Sequence, residues 1–385
     1  MAAIQETYAN TPTLYIDSKE DNDMRITFTL KNLNVSIVNA LRRTILMDIP
    51  ILAFKTFPYE ENLAIFEKNT SRLNNEILKQ RLACIPIHMK DHSLPYDELE
   101  VEVKVKNTTD VTIYVTTGDF RIKNTSTGKY LEEITLRKIF PPDPITKDFI
   151  IFVRLRPKIS NEVPGEELSL TAKMSLHTAR EDGAYNVVSI CSYSFTGDKL
   201  QQDDKWQQYL ASLPEEEKDA ETLVEIQKNW YNHDAKRYYV KDSFDFIIES
   251  VGVFGGAELV QQATEILLQK LTYFEEEASK NNLAIAKSVT SMPNSFDITL
   301  VNEGYTLGKV LEYLLYEHYY KAKQELSYVG FRQHHPHDTD SMIRVAFHDD
   351  TYGEDESIYI NKINNCLQDI CRIGKSIFQT IHSEF

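Results

Sequence analysis

The chain has 385 residues, 42% of them hydrophobic and 26% charged, which is the balance of an ordinary globular protein with room for two or three domains. A net charge of −16 argues against a main task of gripping phosphate backbone, where affinity comes from Lys and Arg displacing counterions, so any DNA nearby is expected to be held by partners. No apolar run approaches the roughly 20 residues of a membrane-spanning helix, and the polar start 1–13 lacks the form of a secretory signal, so neither membrane nor export is expected.

In chain order, residues 24–47 read as a strand followed by a helix. Ile26, Phe28 and Leu30 alternate at the strand period, and Asn34 or Ser36 can cap the helix. Ile37, Ala40, Leu41, Thr44 and Ile45 then share one helical face, with Asn39, Arg42 and Arg43 on or beside the opposite arc. In residues 69–87, Asn69 to Ser71 are expected to cap a short helix whose apolar side is Leu73, Ile77 and Leu82, and Pro86 opens an extended segment. Glu76 and Arg81 lie five apart, a spacing that points them at other groups.

Residues 93–197 alternate repeatedly (Val101, Val103, Val105; Val111, Ile113, Val115; then 149–155 and 168–174) and predict a small β domain, with loops at Pro141, Pro142, Pro144, Pro164 and Gly165. Residues 198–240 bring acidic runs (Asp203 and Asp204; Glu215, Glu216 and Glu217) and the aromatics Trp206, Tyr209, Trp230, Tyr231, Tyr238 and Tyr239. They predict a solvated helical excursion anchored by aromatics, the alternative being a docking surface for a neighbour. A long amphipathic helix follows at 257–276, with Leu259, Ala263, Ile266, Leu267 and Phe274 on one side. The small and polar stretch 277–291 reads as a joint, long enough at about 3.4 Å per residue to span roughly 50 Å.

Residues 294–317 repeat the opening unit. Phe296, Ile298 and Leu300 alternate, Gly304 and Thr306 start a helix, and Leu307, Val310, Leu311, Leu314 and Leu315 form its apolar face. At a constant, gapless shift of 270 positions, Thr29/Thr299, Leu30/Leu300, Asn32/Asn302 and Leu41/Leu311 are identical. A last amphipathic helix from 357 onward uses Ile360, Ile363, Leu367, Ile370, Ile377 and Ile381. Two modules, each a sheet with two helices, would cover each other's apolar helical faces, so an intramolecular pseudo-dimer is expected. The expected division is a discontinuous first module (14–92 and 240–277), an insert (93–239), a linker (278–291) and a second module (292–385). The expected pairing face is Ile37, Leu41, Ile45, Leu307, Leu311 and Leu315.

The run Asn69-Thr70-Ser71-Arg72-Leu73-Asn74-Asn75-Glu76, continued by Arg81-Leu82-Ala83-Cys84-Ile85-Pro86-Ile87, resembles a signature of the third-largest subunit of eukaryotic RNA polymerase II and of its archaeal counterpart in the D/L family. Asn39-Ala40-Leu41-Arg42-Arg43 is similar to the first dimerisation helix of that family, shared with the N-terminal domain of the bacterial alpha subunit. The stretch 244–271, with Glu249-Ser250-Val251-Gly252, resembles the return strand and second helix. In the second half, Asn302-Glu303-Gly304-Tyr305-Thr306-Leu307-Gly308 is similar to a motif of polymerase II subunit eleven and its archaeal counterpart, and 331–336 with 343–345 fit the strands that follow. The fusion of the two in one chain resembles polymerases of large cytoplasmic DNA viruses.

The resemblance implies an α+β fold of two alpha-type dimerisation modules and a non-catalytic assembly role. Implied partners are the two largest polymerase subunits and small subunits of the subunit ten and twelve type, with DNA met only through the complex, no membrane, and no obligate homodimer. The second-largest subunit is expected at module one and the largest at module two, with Arg42, Arg43, Glu76, Arg81, Glu312 and Tyr313 as contacts. Across the repeat, Arg42 and Arg43 become Glu312 and Tyr313, a change suited to choosing different partners. Implied locations are the host cytoplasm or virion for a viral protein and otherwise the nucleus.

Two departures stand out: the family's motif histidine is Tyr305 here, and the insert's one cysteine, Cys191, cannot supply the cysteine cluster that many relatives carry, so no cofactor and no metal are expected. Cys84, Cys191, Cys366 and Cys371 read as structural thiols in a reducing compartment. Gly304 to Lys309 is one residue too short for a phosphate loop. His334, His335 and His337 read as a turn between strands, and the adjacent Asp349 and Asp350 would face opposite ways on a strand. No catalytic residue is assigned. A free-standing interaction adaptor with the same fold is the competing reading, and an enzyme in its own right the third.

Overall fold

The structure, a computed structural model, describes residues 13–19, 24–91, 95–160, 162–214, 219–289, 292–348 and 355–385. Residues 1–12, the acidic run 215–217, Ser291 and the pair Asp349 and Asp350 lie outside them. Two compact units share the chain. The first comprises Met1–Ile45, Ile190–Glu249 and Gly256–Phe385; the second comprises Leu46–Ser189 and Ser250–Gly255.

The chain opens with β1 (Thr13–Lys19), β2 (Arg25–Lys31) and α1 (Val35–Met47). The second unit then contributes β3 (Ile51–Ala53), β4 (Ala64–Asn69), α2 (Asn75–Ala83), β5 (Leu99–Lys106), β6 (Ile113–Thr116), β7 (Arg121–Asn124), α3 (Glu133–Ile139), β8 (Ile151–Leu155), β9 (Glu167–Lys173) and β10 (Ser175–His177). After these come β11 (Val188–Gly197), α4 (Lys199–Ser212), α5 (Ala220–Asn232), β12 (Tyr239–Ser250) and α6 (Gly256–Ser279). The remainder is β13 (Ile285–Lys287), β14 (Ser295–Leu300), α7 (Tyr305–Leu315, continued by a π-helix over Tyr316–Ala322), β15 (Leu326–Arg332), β16 (Ser341–Phe347) and α8 (Glu356–Glu384). The fold is α+β, as expected.

The first unit holds two four-stranded sheets, ordered β1-β2-β12-β11 and β13-β14-β16-β15. Both arise from the same string of elements, strand-strand-helix and then strand-strand-helix, so the duplication reaches well beyond the 24 residues where the sequence displays it. Strand β2 lies antiparallel between β1 and β12, and β14 lies antiparallel between β13 and β16. Ile26, Phe28 and Leu30 are buried, as are Phe296, Ile298 and Leu300, the inward half of each alternation. Asn32 and Asn302, one of the four identities, have a backbone reason: both are left-handed, at φ 62° and 55°, a conformation asparagine tolerates better than most residues.

Helices α6 and α8 form the most extensive helix pair. They run antiparallel, because partners descend α8 as they ascend α6: Thr264 meets His382, Leu271 meets Gly374, Glu275 meets Arg372, and Asn281 just past α6 meets Asn364. Phe385, beyond the last turn of α8, sets its ring edge-on against Phe28 of β2 at 4.9 Å, while Phe246 of β12 stacks on Phe28. The second module's last helix therefore ends on the first module's sheet. Between β11 and β12, α4 and α5 form a helical excursion with its own small core of Trp206, Trp230 and Ala235.

The second unit is built on the sheet β4-β9-β5-β7, with smaller pairs β6-β8 and β3-β10. Its core includes Val101, Val103, Leu168, Leu170, Phe120 and Phe152. Residues 46–91 pack in this unit: β4 pairs with β9, and Leu78 and Leu82 of α2 join its core.

A Cβ on Gly374 would lie 3.1 Å from Leu271 Cδ1 and 3.3 Å from Leu314 Cδ1, so this glycine lets α6, α7 and α8 converge. Gly374→Leu should lower stability by about 1–3 kcal/mol through overpacking. Gly374→Ala should cost less, since two flexible leucine tips can give way. Urea unfolding of both variants measures the difference.

Candidate assembly interface

Asn34 accepts the Ser36 N–H at 2.9 Å and so fixes the start of α1. From that start Ile37, Val38, Ala40, Leu41, Thr44 and Ile45 are buried. In α7 the buried set is Thr306, Leu307, Gly308, Val310, Leu311, Leu314 and Leu315. All six residues expected on the pairing face, Ile37, Leu41, Ile45, Leu307, Leu311 and Leu315, are thus inside the first unit.

Polar contacts link the two repeats within that unit. Arg43 Nε donates to Thr306 Oγ1 at 2.9 Å, from α1 to the first turn of α7. Lys270 of α6 pairs at 3.0 Å with Glu303, just before α7. Glu275 of α6, well shielded, receives Arg372 of α8 at 2.9 Å and Lys375 as well. One carboxylate meeting two cations from a facing helix fixes the register of the pair as well as its charge balance.

The six residues expected to meet large subunits are placed unequally. Arg42 is half-buried and donates to Asn39 at 3.0 Å. Arg43 is engaged with Thr306. Glu312 pairs with Lys309 and accepts the Phe331 N–H of β15 at 3.0 Å, which closes part of that strand's outer edge. Tyr313 is half-buried, and burial, with Glu317 and Asp242 near, pushes its phenol up to about 12.

Glu76 and Arg81 belong to the second unit. Glu76 is exposed and pairs with Lys79 at 3.3 Å. Arg81 donates from Nε and Nη2 to the carbonyls of Phe152 and Ile151, each at 2.7 Å, and so caps the edge of β8. Arg81 thus joins α2 to β8 inside its unit.

Around α2 one expectation is corrected. The cap is Asn74, accepting the Ile77 N–H at 2.9 Å, and not the stretch Asn69 to Ser71. Asn69 instead organises the preceding loop, through Ser71, Leu73 and Asn75. With the helix starting later, Leu78 and Leu82 face the core and Ile77 is 41% exposed. Ile77 lines a cavity of about 420 Å³ with Gln80, Arg81, Cys84, Ile85 and Phe152 among its walls. Nothing local in the sequence signals the Glu275 cluster or Gly374, because each depends on which residues of a distant helix arrive opposite.

The sequence pattern of the RNA polymerase Rpb3/Rpb11 dimerisation domain matches residues 27–271, well over half of the chain. The chain belongs to this family. DNA-directed RNA polymerases I and III subunit rpac1 of Dictyostelium discoideum is 26% identical over 291 residues, covering 66% of this chain and 79% of the relative. DNA-directed RNA polymerases IV and V subunit 3B of Arabidopsis thaliana is 25% identical over 318 residues, 69% of this chain and 91% of the relative. DNA-directed RNA polymerase subunit Rpo3 of Pyrobaculum arsenaticum is 27% identical over 256 residues, 64% of this chain and 88% of the relative. The resemblance to polymerase subunit three is borne out. As a member of the Rpb3/Rpb11 family, the chain shows the family match from β2 into α6, across the whole of the second unit.

Leu41→Asp or Leu311→Asp would put an unpaired charge at a site with no exposure. Each should cost several kcal/mol, about 3 or more, and abolish cooperative thermal unfolding or lower its midpoint sharply. The thiols give a milder check. Cys84 is exposed, while burial pushes the Cys191 and Cys366 thiols up to about 12 and raises that of the buried Cys371. A thiol reagent at about pH 7.5 should label Cys84 alone in the native protein and all four after denaturation.

Proposed function

We propose that this chain is a non-catalytic assembly platform of a DNA-directed RNA polymerase, in which two fused dimerisation modules pair within one polypeptide and recruit the two largest subunits. The observation that carries this reading is the repeated six-element topology, closed by α8 of the second repeat lying antiparallel on α6 of the first. A family built to dimerise supplies the first partner, and the second repeat stands where a separate partner chain would otherwise be. The family match ends at residue 271, so the subunit-eleven-like identity of the second module rests on the shared topology and the gapless repeat.

With the helical faces already buried against each other, recruitment falls to the outer surfaces. Arg43, Arg81 and Glu312 bond to other elements, whereas Arg42 and Glu76 meet Asn39 and Lys79 on their own helices, so Arg42, Glu76 and Tyr313 are the better placed of the six contacts expected from sequence. Small subunits of the ten and twelve type fit the same scheme as further partners. Among the described residues no group of three or more His, Cys, Asp and Glu could hold a metal ion.

Two measurements test the reading. The isolated chain should be a monomer by light scattering at micromolar concentration, since both halves of the dimer are in one molecule; an obligate homodimer would overturn the internal pairing. Tagged chain purified from its native source should bring down the two largest polymerase subunits in stoichiometric amounts. Recovery of the folded chain without them would support a free-standing adaptor instead.

A further inference from the structure

The two sheets of the first unit have four edge strands: β1, β11, β13 and β15. A free edge presents unpaired N–H and C=O groups to any passing chain, and proteins blunt such edges with charge, proline, bulges or shortness. Three of the four are blunted. Strand β13 has three residues and ends in Lys287. Strand β1 contains Asp17 and Lys19 and has a register shift between Ile16 and Ser18. Strand β15 has a register shift between Leu326 and Tyr328, ends in Arg332, and has its Phe331 N–H held by Glu312.

Strand β11 is long, running for ten residues from Val188 to Gly197, and carries neither charge nor proline. Its one sheet neighbour among the described residues is β12. Ile190 is 42% and Phe195 47% exposed, and Ser192 and Ser194 are exposed as well. Pseudo-symmetry sharpens the contrast. Where α7 sets the Glu312 carboxylate on β15, α1 brings the Arg42 backbone to β11: the buried Cys191 thiol donates to the Arg42 carbonyl at 3.8 Å, and the Arg42 guanidinium, bonded to Asn39, is near enough for its charge to work against the upward push of burial on that thiol. A carboxylate can hold an edge N–H; a guanidinium cannot.

We propose that the β11 edge from Ile190 to Gly197 is a strand-addition site for an extended segment of another polypeptide that carries an acidic residue near Arg42. Main-chain hydrogen bonds would supply the affinity and the alternating side chains the selectivity. Self-pairing of β11 in two copies is disfavoured, since an antiparallel pair centred near Cys191 would bring two Arg42 charges together. The site is a property of the sheet and stands whether or not the chain works in a polymerase.

The test uses the full chain and immobilised ten-residue peptides of alternating polar and apolar residues, varied in sequence, with a central Asp or a central Lys. The Asp series should contain binders at least tenfold tighter than their Lys counterparts, and hydrogen exchange should show protection arising at 190–197. Ser192→Lys with Ser194→Lys should abolish binding while circular dichroism stays unchanged. Arg42→Glu should reverse the preference towards Lys, which keeps the proposal testable if the serine pair disturbs folding. Absence of binding in both series, protection elsewhere, or indifference to Arg42→Glu would overturn it. Protection at 190–197 that rises with protein concentration alone would overturn it too, by making a second copy the occupant.

Discussion

A helix of 24 residues such as α6 is roughly 36 Å long, and its apolar stripe needs cover along that whole length. Its own sheet supplies only part, through β2. The longer α8 has the same need, with twelve buried positions from Tyr359 to Ile381. Laid antiparallel, each helix covers the other, and the remaining architecture follows from that contact. It brings the two sheets into one compact unit, sets Gly374 where α6 and α7 both reach α8, and carries Phe385 onto Phe28. Each buried Leu or Ile contributes about 1.5–3 kcal/mol at full burial, so the stripe as a whole outweighs any single ion pair along it. Glu275 with Arg372 and Lys375 selects which register of an otherwise permissive apolar contact is used.

Duplicated modules in one chain face a problem that separate subunits do not: the copies must agree on the inside and differ on the outside. The inside is kept by residue type, as Ile37 and Leu307 or Leu41 and Leu311 demonstrate. The outside diverges in ways with distinct physical consequences. Glu312 closes an edge amide of β15, whereas Arg42, its counterpart across the repeat, leaves β11 without that closure. The turn of 333–340 between β15 and β16 is replaced in the first copy by the whole α4–α5 excursion with its tryptophan core. A fold that closes with a short turn in one copy does not require two helices in the other, so the excursion is not needed to close the sheet.

The parts legible in the sequence are those with local causes. Strand alternation, the α1 and α7 faces, the aromatic anchors of the excursion and the β-rich insert all follow from periods of 2 or 3.6 within short windows. The duplication is legible only where both copies keep their spacing. The flanking strands and return helices, displaced by insertions, carry no constant shift, although the topology shows them to be equivalent. Ile77 escapes a local reading because Asn69 to Ser71 have the composition of a cap, and only the backbone reveals that Asn74 takes that place. Arg81 and Glu312 read as outward charges, since nothing local announces that a strand edge will arrive beside them.

Charge is divided between the units in a way that bears on how such a chain could sit in a nucleic-acid enzyme. The stretches 46–189 and 250–255 carry 19 Lys and Arg against 21 Asp and Glu, while the rest of the chain carries 23 against 37. Almost all of the net charge of −16 therefore lies on the unit that contains the paired modules. At physiological ionic strength fields fade over about 8 Å, so this excess acts at contact range and selects among surfaces rather than steering from afar. It repels phosphate backbone and favours basic protein surfaces, which agrees with the proposed platform role, in which partners would hold the DNA. Within that acidic unit, the half-buried Arg42 near β11, a strand with no charge of its own, is a local exception, and local exceptions of sign are where one partner can be told from another.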